Sequence, residues 1–238
     1  MRFLVTAGNT REMIDQVRDW GNIFTGNTGF SIANALADVG EVDLLTSNST
    51  HLAVVRSGQT TRYPIHGSPF ACHAELKGAL AALMNQHDYQ AIFMTAAVSD
   101  YRPVRVFTVV SREPDPQDPQ LQRWVVKDVQ AGKVKSTYKA IAILGEPTEK
   151  LVDLFRTEWR YRGILVKFKL EVGISREELL RIGQASRISS GADYLVANTL
   201  DMVNGTEAGA YLLREGGQEW VARARLARRM VELVSSEK

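Results

Sequence analysis

The 238-residue sequence contains a single cysteine, Cys72, and only four histidines, which are scattered along the chain. One thiol cannot form a disulfide within its own chain, and the spacing of cysteine and histidine matches no zinc site. No apolar run reaches the roughly 18 residues needed to span a bilayer, and Met1 leads into a predicted strand instead of a signal peptide. These absences predict a cytoplasmic protein that has no disulfide framework and does not enter a membrane.

Charge of one sign is also lacking, because the net charge is only +2 and the two signs are interspersed. The most basic stretch, residues 223–229, falls on the predicted last helix. Such a stretch is either a solvated helix face with cations near the C-terminus or a nucleic-acid contact, and the overall balance favours the first. We therefore expect no nucleic-acid partner.

The standard phosphate-binding motifs are missing as well, since only Gly8 stands at the end of the first predicted strand. There is neither G-x-G-x-x-G nor G-x-x-x-x-G-K-[ST]. Instead an apolar strand at residues 3–5 enters a Gly/Asn/Thr loop, and a helix signalled at Gly29 begins about twenty residues later. This loop is either a plain connection with turn glycines or an anion site, and its length favours a site at the carboxyl end of the strand.

The remaining pattern alternates between strands and helices and is interrupted once by a β-rich stretch. It predicts a Rossmann-like, doubly wound, mostly parallel α/β sheet in a single domain, 1–238, with an inserted β-rich flap at about 104–144. The predicted strands are 42–46, an edge strand at 60–65, 91–95, 104–110, 122–126, 138–144, 163–168, 193–198 and a hairpin of 210–213 with 218–221. A polar turn is predicted at 47–50, and helices at 68–84, 148–159, from Ser175 onward and at 222–234.

Five sequence blocks in order resemble the phosphopantothenate–cysteine ligase (phosphopantothenoylcysteine synthetase) family. The first two blocks, an opening T-A-G-N-T-R-E and a later T-A-A-V-S-D-Y-R-P, are the most diagnostic. The five blocks are residues 6–18 continuing to Asn22, Gly26 and Gly29, then 95–103, 132–136, 168–171 and 192–198.

The resemblance implies a ligase of coenzyme A biosynthesis that acts on small molecules. In that family CTP, or ATP, activates the carboxylate of 4′-phosphopantothenate as an acyl-nucleotide, and cysteine then displaces the nucleotide to form an amide. Mg²⁺ accompanies the nucleotide, and no covalent enzyme nucleophile is needed. The flap packs on a second subunit in the family, which implies a homodimer, and the chain resembles the stand-alone ligase form.

The resemblance further implies roles for individual residues. Asn22 and Lys133 are the candidate catalytic residues, contacting the acyl-nucleotide and the reacting carboxylate. The implied nucleotide-binding residues are Gly8, Thr10, Asp100, Pro147, Thr148, Phe168 and Arg187. The implied substrate-binding residues are Arg18, Thr25 and Gly26, and no metal ligand is assigned. Asn22 as a turn cap, Phe168 as a core residue and Lys133 as a solvated lysine are the alternatives.

The chain departs from the family pattern at three places. In the asparagine loop, Phe24 replaces a small hydroxylated residue and Asn27 replaces a cation. The helix before residue 193 lacks two customary lysines on one face, where the only cation is Arg187, which we predict to compensate in part. Thr199 stands where an acid commonly follows Asn198. Losing one charge-assisted phosphate contact costs about 1.5–3 kcal/mol. A catalytically diverged nucleotide- or flavin-binding module of the same fold is therefore the alternative function.

Overall fold

The computed structural model describes residues 1–58, 61–118, 120–129, 132–203 and 208–236. The chain divides into two compact units: unit 1 comprises Met1–Thr10, Ile23–Ala97 and Lys150–Lys238, and unit 2 comprises Arg11–Asn22 and Val98–Glu149. In chain order the elements are β1 (Arg2–Ala7), β2 (Arg11–Met13), β3 (Asp19–Gly21), α1 (Asn27–Leu36), β4 (Glu41–Thr46), α2 (Ser49–Arg56), β5 (Ile65–Pro69), α3 (His73–Gln86), β6 (Ala91–Met94), β7 (Tyr101–Pro114), β8 (Gln122–Asp128), β9 (Ile141–Pro147), α4 (Leu151–Thr157), β10 (Ile164–Glu171), α5 (Arg176–Ser189), β11 (Tyr194–Thr199), a short 3₁₀ helix (Leu200–Val203), β12 (Gly209–Arg214), β13 (Gly217–Ala222) and α6 (Arg223–Ser236).

Unit 1 is built on an eight-stranded sheet in the order β13-β12-β11-β10-β6-β1-β4-β5. The pairs from β11 to β5 are parallel, and β12 and β13 add antiparallel at one edge. Central strands such as Phe3–Leu4–Val5 are fully buried, which explains their uninterrupted apolar sequence. Helices α1 and α6 supply Ile32, Leu36, Met230 and Leu233 to the main core. The mostly parallel α/β fold predicted from the sequence is confirmed.

Unit 2 contains a three-stranded antiparallel sheet in the order β8-β7-β9 and the small β2–β3 hairpin. The long β7 shifts register between Val109 and Ser111 against β8, and between Pro103 and Arg105 against β9. Several large apolar side chains of this sheet are exposed, among them Val125 at 57%. Unit 2 thus presents apolar surface that its own strands leave uncovered.

Several local predictions are confirmed by the structure. The helix predicted from Ser175 onward is α5, which Ser175 caps by accepting a hydrogen bond from the Glu178 N–H. The hairpin around residues 216–217 is the pair β12 and β13. An edge strand is present as β5 (Ile65–Pro69), but the predicted bounds of 60–65 were wrong, because residues 61–64 form no strand and residue 60 lies outside the described part of the chain.

Other predictions were wrong in detail. The polar turn at 47–50 is the start of α2, where Asn48 caps by accepting from the Thr50 N–H, because the same residue types favour turns and helix caps. The helix expected from Ser68 begins at His73, and that expected at 148–159 is the shorter α4. The long loop after Gly8 contains β2 and β3, whose three residues each are too few to give a periodic signal.

Candidate functional site

The carboxyl ends of β1 and β6 lie side by side in unit 1, at the point where the strand order reverses. From β1 the chain passes through α1 to β4 on one side, and it returns through α3 to β6 on the other. Hydrogen bonds fix the two strand ends, since the Ala96 N–H donates to Thr6 Oγ1 (3.1 Å) and the Ala97 N–H to Gly8 O (2.9 Å). A crevice at such a reversal is where open α/β sheets bind ligands.

Two glycines allow the loop after β1 to approach the start of α1. Gly8 has a φ of +91° and Gly26 a φ of +81°, a backbone conformation that other residues rarely adopt. A Cβ at Gly26 would overlap the backbone nitrogen of Gly8 and lie 2.7 Å from its Cα. Glycine at Gly26 is therefore required for the N-terminus of α1 to rest directly against the end of β1.

A cavity of about 500 Å³ opens at this edge of unit 1. Its volume lies within the range of small-molecule sites, about 300–1,000 Å³. It is lined by Gly8, residues 23–29, residues 95–97, residues 168–170, Val196, Asn198, Leu200, Met202, Val203, Gly209, Ala210, Arg223 and Leu226. Four predicted site residues, Gly8, Thr25, Gly26 and Phe168, meet around this one cavity.

The cavity is electrostatically suited to an anion. Lys169 and Arg223 belong to its wall, and none of the described residues that line it is Asp or Glu. Lys169 Nζ also pairs with Glu171 Oε1 (2.9 Å), a residue outside the lining. Helix α1 begins there at Gly26 without a side-chain cap and without an acid in its first turn. Its first N–H groups and the positive end of its dipole therefore favour negative charge.

Other residues of the lining are apolar. Phe168 packs against the main core, and Leu226 and Met202 also line the cavity. A ligand that carries both an anionic group and a flat or apolar group fits this mixed lining.

In unit 2, Asp15 and Arg18 hold the segment that carries Lys133. The almost fully buried Asp15 carboxylate accepts from the Val134 N–H (3.0 Å) and pairs with Arg18 Nη2 (2.6 Å), which also donates to Val134 O (2.6 Å). The Val134 N–H, together with further backbone and Arg18 donors, holds the pKa of Asp15 well below its usual range. Asp15 and Arg18 thus fix Val134, the residue that follows Lys133. Arg18 was predicted to bind substrate, but its guanidinium is engaged within unit 2.

Three further predicted residues meet in unit 2. The Thr148 N–H donates to Asp100 O (2.9 Å), and Thr148 Oγ1 donates to Ser99 O. Pro147 precedes Thr148 at the end of β9 and pairs with Tyr101. Asn22 is an exposed residue that follows β3.

Two predicted residues of unit 1 lie away from the cavity wall. Thr10 is fully buried, and its N–H donates to Ala97 O (3.1 Å). Arg187 lies in the last turn of α5, where Nη1 donates to Ala192 O (3.1 Å) and lies 3.5 Å from Asp193 O. Arg187 thus stabilises the turn between α5 and β11, and its position gives no support to a nucleotide role.

Sequence reasoning missed the cations that the cavity offers. From the sequence, Arg223 is predicted to lie on a solvated helix face, and Lys169 is only one residue of a block that resembles the family. The position of Lys169 at the carboxyl end of the strand predicted at 163–168 was the available signal, because open α/β sheets bind ligands at the carboxyl ends of their strands. Lys167 donates to Ser186 Oγ (3.0 Å) on α5, and burial lowers the pKa of its ammonium.

Comparison with known proteins agrees with this architecture. A family model for the C-terminal domain of DNA/pantothenate metabolism flavoproteins matches residues 1–117. The coenzyme A biosynthesis bifunctional protein CoaBC of Thermococcus kodakarensis is 32% identical over 200 residues, which cover 84% of this chain and 41% of that protein. The chain belongs to this flavoprotein C-terminal domain family. It spans about two fifths of the length of that curated relative.

Solved structures related to this family share the fold. The DNA/pantothenate metabolism flavoprotein of Streptococcus pneumoniae is 25% identical, with a TM-score of 0.78 and 100% of both chains covered. A Cab2 mutant in complex with phosphopantothenate-cysteine is 14% identical, with a TM-score of 0.65 over 99% of this chain and 85% of that one.

Proposed function

We propose that this protein is a phosphopantothenate–cysteine ligase, which joins 4′-phosphopantothenate to cysteine through an acyl-nucleotide. The observation that carries the proposal is the carboxyl-edge cavity of unit 1, with a cationic wall free of acids beside Phe168. The names of the relatives support it, since CoaBC is a coenzyme A biosynthesis protein and Cab2 was solved with phosphopantothenate-cysteine.

The residues of unit 1 are proposed to bind and orient the anionic parts of the ligands. The N–H groups at the start of α1, with Lys169 and Arg223, donate to phosphate oxygens, and charge-assisted contacts of this kind are the strong ones. Phe168 flanks the base, while Thr25 and Gly26 shape the wall for the substrate.

The residues of unit 2 are proposed to act on the reacting carboxylate. The Lys133 ammonium offsets negative charge that develops as a carboxylate oxygen attacks the α-phosphorus of the nucleotide, the bond to the β-phosphate breaks and pyrophosphate leaves. Asn22 donates through its amide to the mixed anhydride while the cysteine amine attacks the acyl carbon, and the nucleotide monophosphate departs. Arg18 takes part through Asp15 and Val134, by holding the segment that carries Lys133.

The nucleotide is proposed to be CTP or ATP with Mg²⁺. No group of three or more His, Cys, Asp or Glu side chains in the described part of the chain could hold a metal by itself. This fits Mg²⁺, which binds nucleotide phosphates, keeps several waters and uses one or two protein carboxylates. Asp100 is the proposed carboxylate, and the ion would supply charge neutralisation at the phosphates.

A homodimer in the cytoplasm is the proposed physiological form. The exposed apolar side chains of the β7–β8–β9 sheet support the dimer, because large exposed apolar patches mark interaction sites. No helix in the described part of the chain is long and apolar enough to cross a membrane.

The test is to measure the two half-reactions separately in the wild type and in Asn22→Asp. Labelled CTP reports pyrophosphate release with 4′-phosphopantothenate, and labelled cysteine reports amide formation. We expect Asn22→Asp to retain pyrophosphate release at a reduced rate but to lose amide formation by roughly 10²–10³, the effect of removing one oxyanion-type donor. Asn85→Asp, an exposed change on α3, is the matched control.

Two outcomes would contradict parts of this proposal. Equal loss in both half-reactions would make Asn22 a general binding residue. No turnover by the wild type with either CTP or ATP would reject the ligase function and favour the diverged binding module.

A further inference from the structure

One histidine lies behind the cavity and is not used by the proposed mechanism. His51, in the first turn of α2, is only 4% exposed and stacks on Phe30 of α1, with ring centroids 4.3 Å apart and planes 5° from parallel. A buried polar ring needs hydrogen-bond partners, and those of His51 lie on β4, on α1 and in the loop before α2.

The two ring nitrogens contact different kinds of group. Nδ1 lies 3.3 Å from Thr46 Oγ1, a hydroxyl that can donate or accept. Nε2 lies 3.1 Å from Asn27 Oδ1, an oxygen that can only accept, and 3.3 Å from Asn48 Nδ2, which donates to Thr25 O (3.0 Å). Because Asn27 Oδ1 is the nearer partner and can only accept, we assign the proton to Nε2, which donates to Asn27, while Nδ1 accepts from Thr46.

The neutral ring is the form that the surroundings favour. Burial lowers the pKa of His51, and the groups that face it from β4, α1 and the loop before α2 are the uncharged Thr46, Asn27, Phe30 and Asn48. A neutral ring has a single N–H, so the donor at Nε2 is committed to Asn27.

This hydrogen bond fixes the orientation of the Asn27 side chain. A flipped amide would place its NH₂ against the Nε2–H donor, which is unfavourable. The oxygen therefore faces His51, and the two amide hydrogens lie on the side away from the imidazole. Asn27 lines the cavity.

The same loop is held at a second point. Asn48 Nδ2 donates to Thr25 O (3.0 Å), and Thr25 also lines the cavity. Two side chains at the start of α2, Asn48 and His51, thus hydrogen-bond the start of α1 and the loop before it, in the same cavity wall as Lys169 and Arg223.

We propose that Asn27 binds an anionic oxygen of the ligand through its side-chain NH₂, and that His51 is the positioning residue that fixes this orientation. The inference rests on the proposed function only for the identity of the ligand, a phosphate ester. The roles inferred for Asn27 and His51 require only that the ligand places an anionic group in the carboxyl-edge cavity.

The experiment measures binding of inorganic pyrophosphate and of 4′-phosphopantothenate to the full chain by calorimetry. Asn27→Asp keeps the acceptor toward His51 but turns the donor into an anion, and we expect at least about tenfold weaker binding, the scale of a hydrogen bond to a charged group. His51→Phe keeps a ring against Phe30 and removes the donor, and we expect about fivefold weaker binding, partly restored in His51→Gln.

A double variant separates positioning from structure. If His51 acts through Asn27, adding His51→Phe to Asn27→Ala weakens binding no further. His66→Phe, an exposed histidine on β5, is the matched control and leaves the affinity unchanged. Thermal melting of every variant checks folding.

Each outcome decides the inference. Additive losses in the double variant, an unchanged affinity in Asn27→Asp, or no binding of either probe to the wild type would overturn it. The expected affinities without ligase turnover would reject the proposed function but support this inference, whereas turnover with unchanged affinities would do the reverse.

Discussion

Arg223 lines the cavity and donates through Nη1 to Val203 O, whereas Arg187, which donates to the carbonyl oxygens of Ala192 and Asp193 at the far end of α5, does not line it. The difference matters because only a guanidinium in the cavity wall can reach a ligand held there. We predict that Arg223→Ala weakens CTP binding by roughly tenfold, the scale of one charge-assisted contact. Calorimetry on Arg187→Ala is the control, and a larger loss there would restore Arg187 as the nucleotide cation.

The buried His51 gives stability a pH dependence whose sign can be stated. Its pKa in the folded protein is lowered from 6.5 by burial, so the unfolded chain binds the proton more readily. The contribution of neutral His51 is fully present above pH 6.5 and is lost as pH falls from there through the folded pKa. We predict that the urea midpoint falls between pH 7 and pH 5 and falls less in His51→Phe, and an equal fall in both would contradict this.

At the scale of the elements, the turn between β2 and β3 is hydrogen-bonded to the segment around Lys133. Replacing the Asp15 carboxylate by an amide in Asp15→Asn removes the charge that accepts from Val134 and Arg18. We predict that kcat of the ligase falls about tenfold with little change in nucleotide KM, because misplacing a group near the reaction lowers transition-state stabilisation.

The matched control for this prediction is Asp115→Asn. Asp115 also accepts a backbone N–H, that of Gln117, and lies near Arg123, but at the far turn of unit 2. Unchanged kcat in Asp15→Asn, or an equal fall in both variants, would show that the tie to Val134 has no role in positioning Lys133.

The sequence predicted those elements whose pattern follows directly from their environment. The central strands are buried on both faces and therefore read as apolar runs, and the Ser175 cap and the Gly216–Gly217 turn are local signals. The starts of α2 and α3 were misplaced because capping and turn residues overlap in type.

The candidate site was predictable only where it is local in sequence. The loop from Gly8 to Gly29 was predicted as part of the site from its composition and from the family resemblance. Arg223 and His51 could not be found in this way, because their places at or behind the cavity arise from the packing of distant elements. Likewise, the contact of Arg18 with Val134 joins residues 116 positions apart.

At the scale of the whole molecule, the exposed apolar residues of β8 predict self-association. If this sheet forms the homodimer interface, light scattering at micromolar concentration gives twice the chain mass of 26.5 kDa, and Val125→Asp gives the single-chain mass. Val172→Asp, an equally exposed position in unit 1, is the control and retains the dimer. A wild type found only at 26.5 kDa would contradict the prediction.

The hydrogen bond from the Thr10 N–H to Ala97 O has a consequence for how the chain folds. Residues 11–22 and 98–149, which together build unit 2, leave unit 1 from these two neighbouring points. Pairing of β1 with β6 therefore closes the long loop between these points, and this closure costs conformational entropy. Because the loop is then already closed, residues 11–22 and 98–149 can pair with each other without a second cost of the same kind. We expect the parallel sheet of unit 1 to form first and the two segments of unit 2 to fold together afterwards.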